Sequence, residues 1–115
     1  MKPAERDAAY LWDMHDAARR ALRLVEGMDF AAFAGDERTY LAIERLLENI
    51  GEAANHVSTD GQDRLPAIPW QGIIGMRNVL AHRYGAIDQS RVWKVVSEEL
   101  PKLAAELELA GRRLE

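Results

Sequence analysis

The stretch Trp70-Gln-Gly-Ile-Ile-Gly-Met-Arg-Asn-Val-Leu-Ala-His-Arg-Tyr84 is a mostly apolar segment that predicts a helix. Arg77, Asn78, His82 and Tyr84 interrupt its apolar character, and they follow the pattern Arg-x4-His-x-Tyr. They are among the residues of this segment that can bind phosphate or move protons near neutral pH. We therefore take this segment as the candidate functional site.

Helical spacing divides the four side chains between two faces. Asn78 and His82 stand four residues apart and share one face, whereas Arg77 and Tyr84 stand seven apart and share another. The Arg77 face is also the apolar one, since it includes Ile73, Met76, Leu80 and Ala81. An unpaired guanidinium there would be costly, so we expect a carboxylate, a subunit interface or an anionic ligand to meet Arg77.

Structural explanations compete with the functional one for each residue alone. A single His in a helix is most often a surface or satisfied core residue. An Arg on an apolar stripe is more often a structural ion pair than a catalytic group, and Tyr84 could serve packing. The combination over a short segment favours function, although spacing alone leaves both interpretations open.

Composition bounds the class of protein. A chain of 115 residues, 48% hydrophobic and 30% charged, predicts one soluble globular domain over residues 1–115. The formal net charge of −4 gives no global signature of nucleic-acid binding. Any basic site must therefore be local. Residues 77–94 have a local surplus of three positive charges, since the four cations Arg77, Arg83, Arg91 and Lys94 stand against the single anion Asp88.

Several functional classes receive no support from the sequence. The chain has no Cys, so disulfides and thiolate sites are excluded, and it shows neither a signal peptide nor a membrane span. We therefore expect a cytoplasmic protein without a membrane partner. His15, His56 and His82 lack metal-ligand spacing, and no Gly-rich phosphate loop is present. We expect neither a metal nor a cofactor.

Two long amphipathic helices precede the central segment. The first runs from Ala4 to about Glu26, buries residues spaced three and four apart, and is ended by Gly27. Phe30 and Phe33 in the next connector are expected to form one turn that packs on the core. The second helix begins after Asp36, runs to about Val57, and has a predicted buried stripe of Tyr40, Leu41, Ile43, Leu46, Leu47, Ile50, Ala53, Ala54 and Val57.

Gly51 lies inside the second helix, where it costs about 1 kcal/mol relative to Ala. Close approach by another helix would explain it and would bring a carboxylate of this helix to its neighbour. We predict that Glu52 is the partner of Arg77. A solvent-exposed Glu52 is the alternative.

The remaining elements complete an all-α chain. Residues 58–69 are expected to form a loop, and Pro69 then starts the motif helix, which Gly85 ends. Asp88 caps the next helix, whose Val92, Trp93, Val95 and Val96 face inward. Pro101 predicts a kink or break near residues 97–100, followed by a last helix of about 100–113. No run alternates with period two, so we predict an antiparallel bundle of four to five helices and no sheet.

The chain resembles the HepT family of bacterial and archaeal toxins, which are minimal members of the HEPN superfamily. The resemblance rests on Leu47-Glu-Asn-Ile-Gly-Glu-Ala-Ala54, Ile68-Pro-Trp70, Gly75-Met-Arg-Asn-Val-Leu-Ala-His-Arg-Tyr84, Ile87-Asp88 and Val92-Trp93, in this order and spacing. It implies an HEPN-like helical fold and a pairing with a small nucleotidyltransferase antitoxin of the MntA type.

The resemblance also implies roles for residues. Arg77 and His82 match the residues of a metal-independent ribonuclease, Asn78 matches the polar position after the Arg, and Tyr84 matches the tyrosine that the antitoxin modifies with AMP. The resemblance further implies a homodimer in which the two motif helices meet and form a composite cleft that binds RNA. The alternative is a non-catalytic helical dimer that serves as binding partner or substrate of a nucleotidyltransferase.

Overall fold

A computed structural model of the chain describes residues 2–81 and 87–114, without the side chains of 113 and 114. Within these residues no strand is present, and no helix is long and apolar enough to cross a bilayer. The predicted all-α fold class is confirmed. The helices are α1 (Pro3–Leu24), α2 (Phe30–Ala34), α3 (Glu37–His56), α4 (Thr59–Asp63), α5 (Trp70–Ala81), α6 (Gln89–Lys94) and α7 (Leu100–Leu114), with a π-helical turn (Val95–Glu99) before α7.

Helices α1 and α3 form the long antiparallel pair of the bundle. Gly27, at a positive φ of 79°, reverses the chain after α1, and the Asp36 carboxylate caps α3 by accepting from the Thr39 backbone N–H. At the opposite end, the Asp7 carboxylate accepts from the backbone N–H and the hydroxyl of Ser58 at 2.9 and 2.6 Å. These contacts fix the register of the two helices.

The core lies between this pair and the helices that flank it. Helix α7 packs on α1, and α5 packs on α3. Phe33 of α2 is fully buried and packs against Tyr40 and Trp93, as expected for the connector. Phe30, which the sequence predicts to pack with it, is instead 42% exposed.

Two other sequence predictions are corrected. Leu41 was expected in the buried stripe of α3 and is half exposed, because it lies two residues before the buried Ile43 and hence about 160° around the helix. The segment 58–69 was expected to be a loop throughout but contains the one-turn helix α4. The hydroxyl of Ser58 caps that turn by accepting from the Gly61 N–H at 3.0 Å.

The backbone around Pro101 differs from the expected break. In the π-helical turn, the Leu100 N–H donates to the Val95 carbonyl, five residues back, so the turn takes up one extra residue. Pro101 then lies in the first turn of α7, where a missing N–H is tolerated. The π-helical turn overlaps residues 97–100, where Pro101 predicts a kink or break, but it joins α6 to α7 without a break.

Candidate functional site

Helices α3 and α5 approach each other closely at Gly51. A Cβ at this residue would overlap the Cβ of Arg77, and it would lie 2.9 Å from the Arg77 Cγ and 3.0 Å from the Ile73 carbonyl oxygen. Real side chains do not fit such a space, so the glycine is required here. The close helix approach predicted from the sequence is present, and it brings Glu52 beside Arg77.

Arg77 forms an ion pair with Glu52, with 2.6 Å between Nη2 and Oε2. The pair predicted from the sequence is therefore present. A second nitrogen of the guanidinium, Nη1, donates to the Asn78 side-chain oxygen at 3.0 Å, while the buried Nε has no hydrogen-bond partner in the described part of the chain. The Arg77 side chain remains 28% exposed, so the pair is not fully sequestered from solvent.

Glu52 makes a second contact on the side away from Arg77. Its Oε1 lies 3.1 Å from the His56 Nε2, and the His56 ring stacks on Tyr10 of α1 with 5.2 Å between centroids and 20° between planes. The hydrogen bond from His56, followed by the hydrogen bond and charge of Arg77, holds the pKa of Glu52 below its usual value. Glu52 is therefore ionised at neutral pH.

Sequence reasoning missed His56 and Tyr10. The only available signal was that His56 follows Glu52 by four residues, which places both on one face of α3. The stacking on Tyr10 depends on the register between α1 and α3, and no local pattern reports that register.

A groove of about 340 Å³ lies between α1 and α3, and Glu52 and His56 form part of its wall. Asp13 and Asp16 also line it, and Arg20 pairs with Asp16 at 2.9 Å. The groove is acidic on balance, so it repels polyanions.

The outer face of α5 is open in the single chain. A Cβ added at Gly72 or Gly75 would meet nothing within 4 Å, and Val79 is 46% exposed. Only Trp70 and Leu80 of this apolar helix are buried. The helix is thus covered by α3 on one side and leaves an apolar strip of small residues on the other.

A buried polar pair joins α3 to the helix that follows the motif. Glu44 is almost completely buried, two turns before Glu52, and it accepts from the Gln89 Nε2 at 2.8 Å. Nothing in the sequence distinguishes Glu44 from the exposed carboxylates of α3. The pair fixes the start of α6 against α3.

His82 and Tyr84 lie outside the described residues, as do Arg83 and Gly85. The predicted sharing of one face by Asn78 and His82, and the predicted end of the motif helix, therefore stay predictions. The described members of the basic cluster on α6, Arg91 and Lys94, are exposed.

Comparison with known proteins finds a matching family model and several relatives. Residues 14–110 match a family model described as "Ribonuclease HepT-like". The chain is 34% identical over 101 residues to a Methanocaldococcus jannaschii protein named "Putative RNase MJ1380", covering 88% of this chain and 93% of the relative. It is also 34% identical over 108 residues to "Probable ribonuclease HepT" of Thermococcus cleftensis, covering 94% and 96% of the two chains. No solved structure matches it. With a family model spanning most of its length and relatives aligned over nearly their whole length, the chain belongs to the HepT-like ribonuclease family.

Proposed function

We propose that the protein is the toxin of a type VII-like toxin–antitoxin pair and cleaves RNA without a metal. His82 moves the proton of the ribose 2′-hydroxyl or of the leaving 5′-oxygen, and Arg77 binds the scissile phosphate. The 2′-oxygen forms a bond to phosphorus, and the bond from phosphorus to the 5′-oxygen breaks. This step requires a 2′-hydroxyl, so the substrate is RNA.

The observation that carries the proposal is the state of Arg77. Its guanidinium is held by Glu52 and Asn78, yet the side chain keeps 28% of its surface exposed. A positioned and accessible guanidinium suits a phosphate whose negative charge increases in the transition state.

The site is proposed to be shared by two copies of the chain. If the helix of α5 continued straight through residue 82, Arg77 and His82 would point about 140° apart, and a single copy would aim them at different places. Two copies that face each other can direct one of each at a common phosphate. The open strip of Gly72, Gly75 and Val79 supports a homodimer through α5, because small residues let two helices approach closely.

The antitoxin partner is proposed to be an MntA-type nucleotidyltransferase that transfers AMP to Tyr84. The added group would bring bulk and negative charge to the cleft and would repel the RNA backbone. Both partners are expected to act in the cytoplasm, where RNA and nucleotide are available. Intact mass of the protein co-expressed with such an enzyme should increase by one AMP, and Tyr84→Phe should abolish the increase.

Cleavage by single variants tests the catalytic proposal. Purified protein in the presence of a chelator should cleave RNA. His82→Ala should reduce the rate at least about 100-fold, as is typical of acid–base catalysis, and Arg77→Ala should do so by a similar factor through lost stabilisation of the transition-state charge. His15→Ala, on α1, is the matched control and should retain activity. Unchanged cleavage by His82→Ala would refute the mechanism. If the wild-type protein bound the nucleotidyltransferase but cleaved no RNA, the interaction-only alternative would be correct.

A further inference from the structure

We propose that His56, held by Tyr10, is a positioning residue for Arg77 and acts through the carboxylate of Glu52. The inference rests on the proposed function, because it assigns His56 a role in presenting Arg77 to the scissile phosphate. None of the motif residues predicts it. Tyr10 lies on α1, Glu52 and His56 lie on α3, and Arg77 lies on α5, so these contacts connect three helices of the bundle.

The carboxylate of Glu52 divides its two oxygens between two donors. Oε1 meets the His56 Nε2 at 3.1 Å, and Oε2 meets the Arg77 Nη2 at 2.6 Å. The terminal torsion of a free Glu is broad, so one contact alone would leave the carboxylate free to turn. Contacts at both oxygens fix its plane, and the plane of the carboxylate in turn fixes the direction from which the guanidinium is held.

The His56 ring is itself fixed from a second helix. It stacks on Tyr10 of α1 with 5.2 Å between ring centroids and only 20° between the planes. Gly51 brings the Arg77 stem against α3 one residue before Glu52. The orientation of Arg77 therefore depends on contacts at three places: the close approach at Gly51, the Asn78 side chain, and the Glu52 carboxylate that His56 holds.

The exposure of these groups argues against a purely stabilising role. The side chains of His56 and Glu52 are 50% and 47% exposed, and exposed ion pairs add little to the free energy of unfolding. An interaction that contributes little to stability can still fix a geometry, and displacing a catalytic group by about 1 Å can lower a rate 100-fold. The expected consequence is a change in catalysis with little change in folding.

Replacement of His56 tests the proposal. His56→Ala should lower kcat for RNA cleavage about 5- to 20-fold with KM within about twofold of wild type, since Arg77 would be misaligned mainly for the transition state. His56→Gln places an amide donor near the position of Nε2 and should restore most of kcat. The matched control is Glu108→Gln, which neutralises one partner of an exposed ion pair of the same spacing, the 2.9 Å pair with Arg112 on α7. That variant should cleave as wild type.

A second measurement separates this inference from the proposed function. In ¹⁵N spectra of the arginine side chains, a held Arg77 should show resolved Nη resonances in the wild-type protein and in His56→Gln, and merged ones in His56→Ala. This readout requires no RNA cleavage, so it remains valid if the wild-type protein proves inactive. Unchanged Arg77 resonances and unchanged kcat in His56→Ala would overturn the inference. Failure of His56→Gln to restore kcat and the resonances would also overturn it.

Discussion

Replacement of Gly51 by Ala tests the helix approach on which the site is built. In an exposed helix this substitution would stabilise the protein by about 1 kcal/mol, because Ala is the better helix former. Here the added Cβ would overlap the Arg77 Cβ and would lie 3.0 Å from the Ile73 carbonyl oxygen. Neither atom can rotate away, so α5 must move from α3.

Forcing extra volume into a packed contact costs about 1–3 kcal/mol, and the direct overlap with a Cβ puts the cost here at about 2–3 kcal/mol. Less the propensity gain of about 1 kcal/mol, Gly51→Ala should lower the free energy of unfolding by about 1–2 kcal/mol. Urea unfolding followed by circular dichroism measures it. Gly111→Ala is the matched control, because a Cβ at this α7 position meets nothing within 4 Å. That variant should gain about 0.5–1 kcal/mol. A Gly51→Ala protein at least as stable as wild type would refute the close approach of α3 and α5.

Other substitutions test separate parts of the bundle. The folded-state pKa of Glu52 is lowered, so its ionised form stabilises the fold at pH values above the ordinary carboxyl pKa of about 4.3. Glu52→Gln should therefore be less stable than wild type in that range, and the difference should disappear as the pH falls through the folded-state pKa of Glu52. Urea unfolding at several pH values measures this difference. Phe33→Ala should cost about 3–5 kcal/mol by the same assay, because the ring is fully buried, and a loss below 1 kcal/mol would contradict its place in the core. Glu44→Ala should cost about 1–3 kcal/mol, since Gln89 would lose its buried acceptor; a neutral result would show that this pair is not formed.

Local signals in the sequence predicted much of the fold. The cap at Asp36, the turn at Gly27 and the buried stripe of α1 each depend on residues within a few positions, and all three are present. Gly51 also predicted a contact between helices distant in sequence, because a glycine that destabilises a helix interior indicates close approach by another helix. The pair of Glu52 and Arg77 follows from that argument.

Features that depend on register or on alternative backbone geometry could not be predicted. The stacking of His56 on Tyr10 requires the relative shift of α1 and α3, which hydrophobic periodicity does not determine. The buried Glu44 has the same local pattern as its exposed neighbours. Pro101 signals a disturbed hydrogen-bond ladder, but a π-helical turn and a break satisfy that signal equally well.

The claim that two copies share one site is tested most directly by mixing two inactive variants. Arg77→Ala and His82→Ala proteins should each fail to cleave RNA, and an equal mixture, allowed to exchange subunits, should regain a substantial part of the wild-type rate. Each mixed dimer would hold one intact pair, with Arg77 from one copy and His82 from the other. A mixture that stays inactive although mixed dimers are present by native mass spectrometry would contradict a composite ribonuclease site.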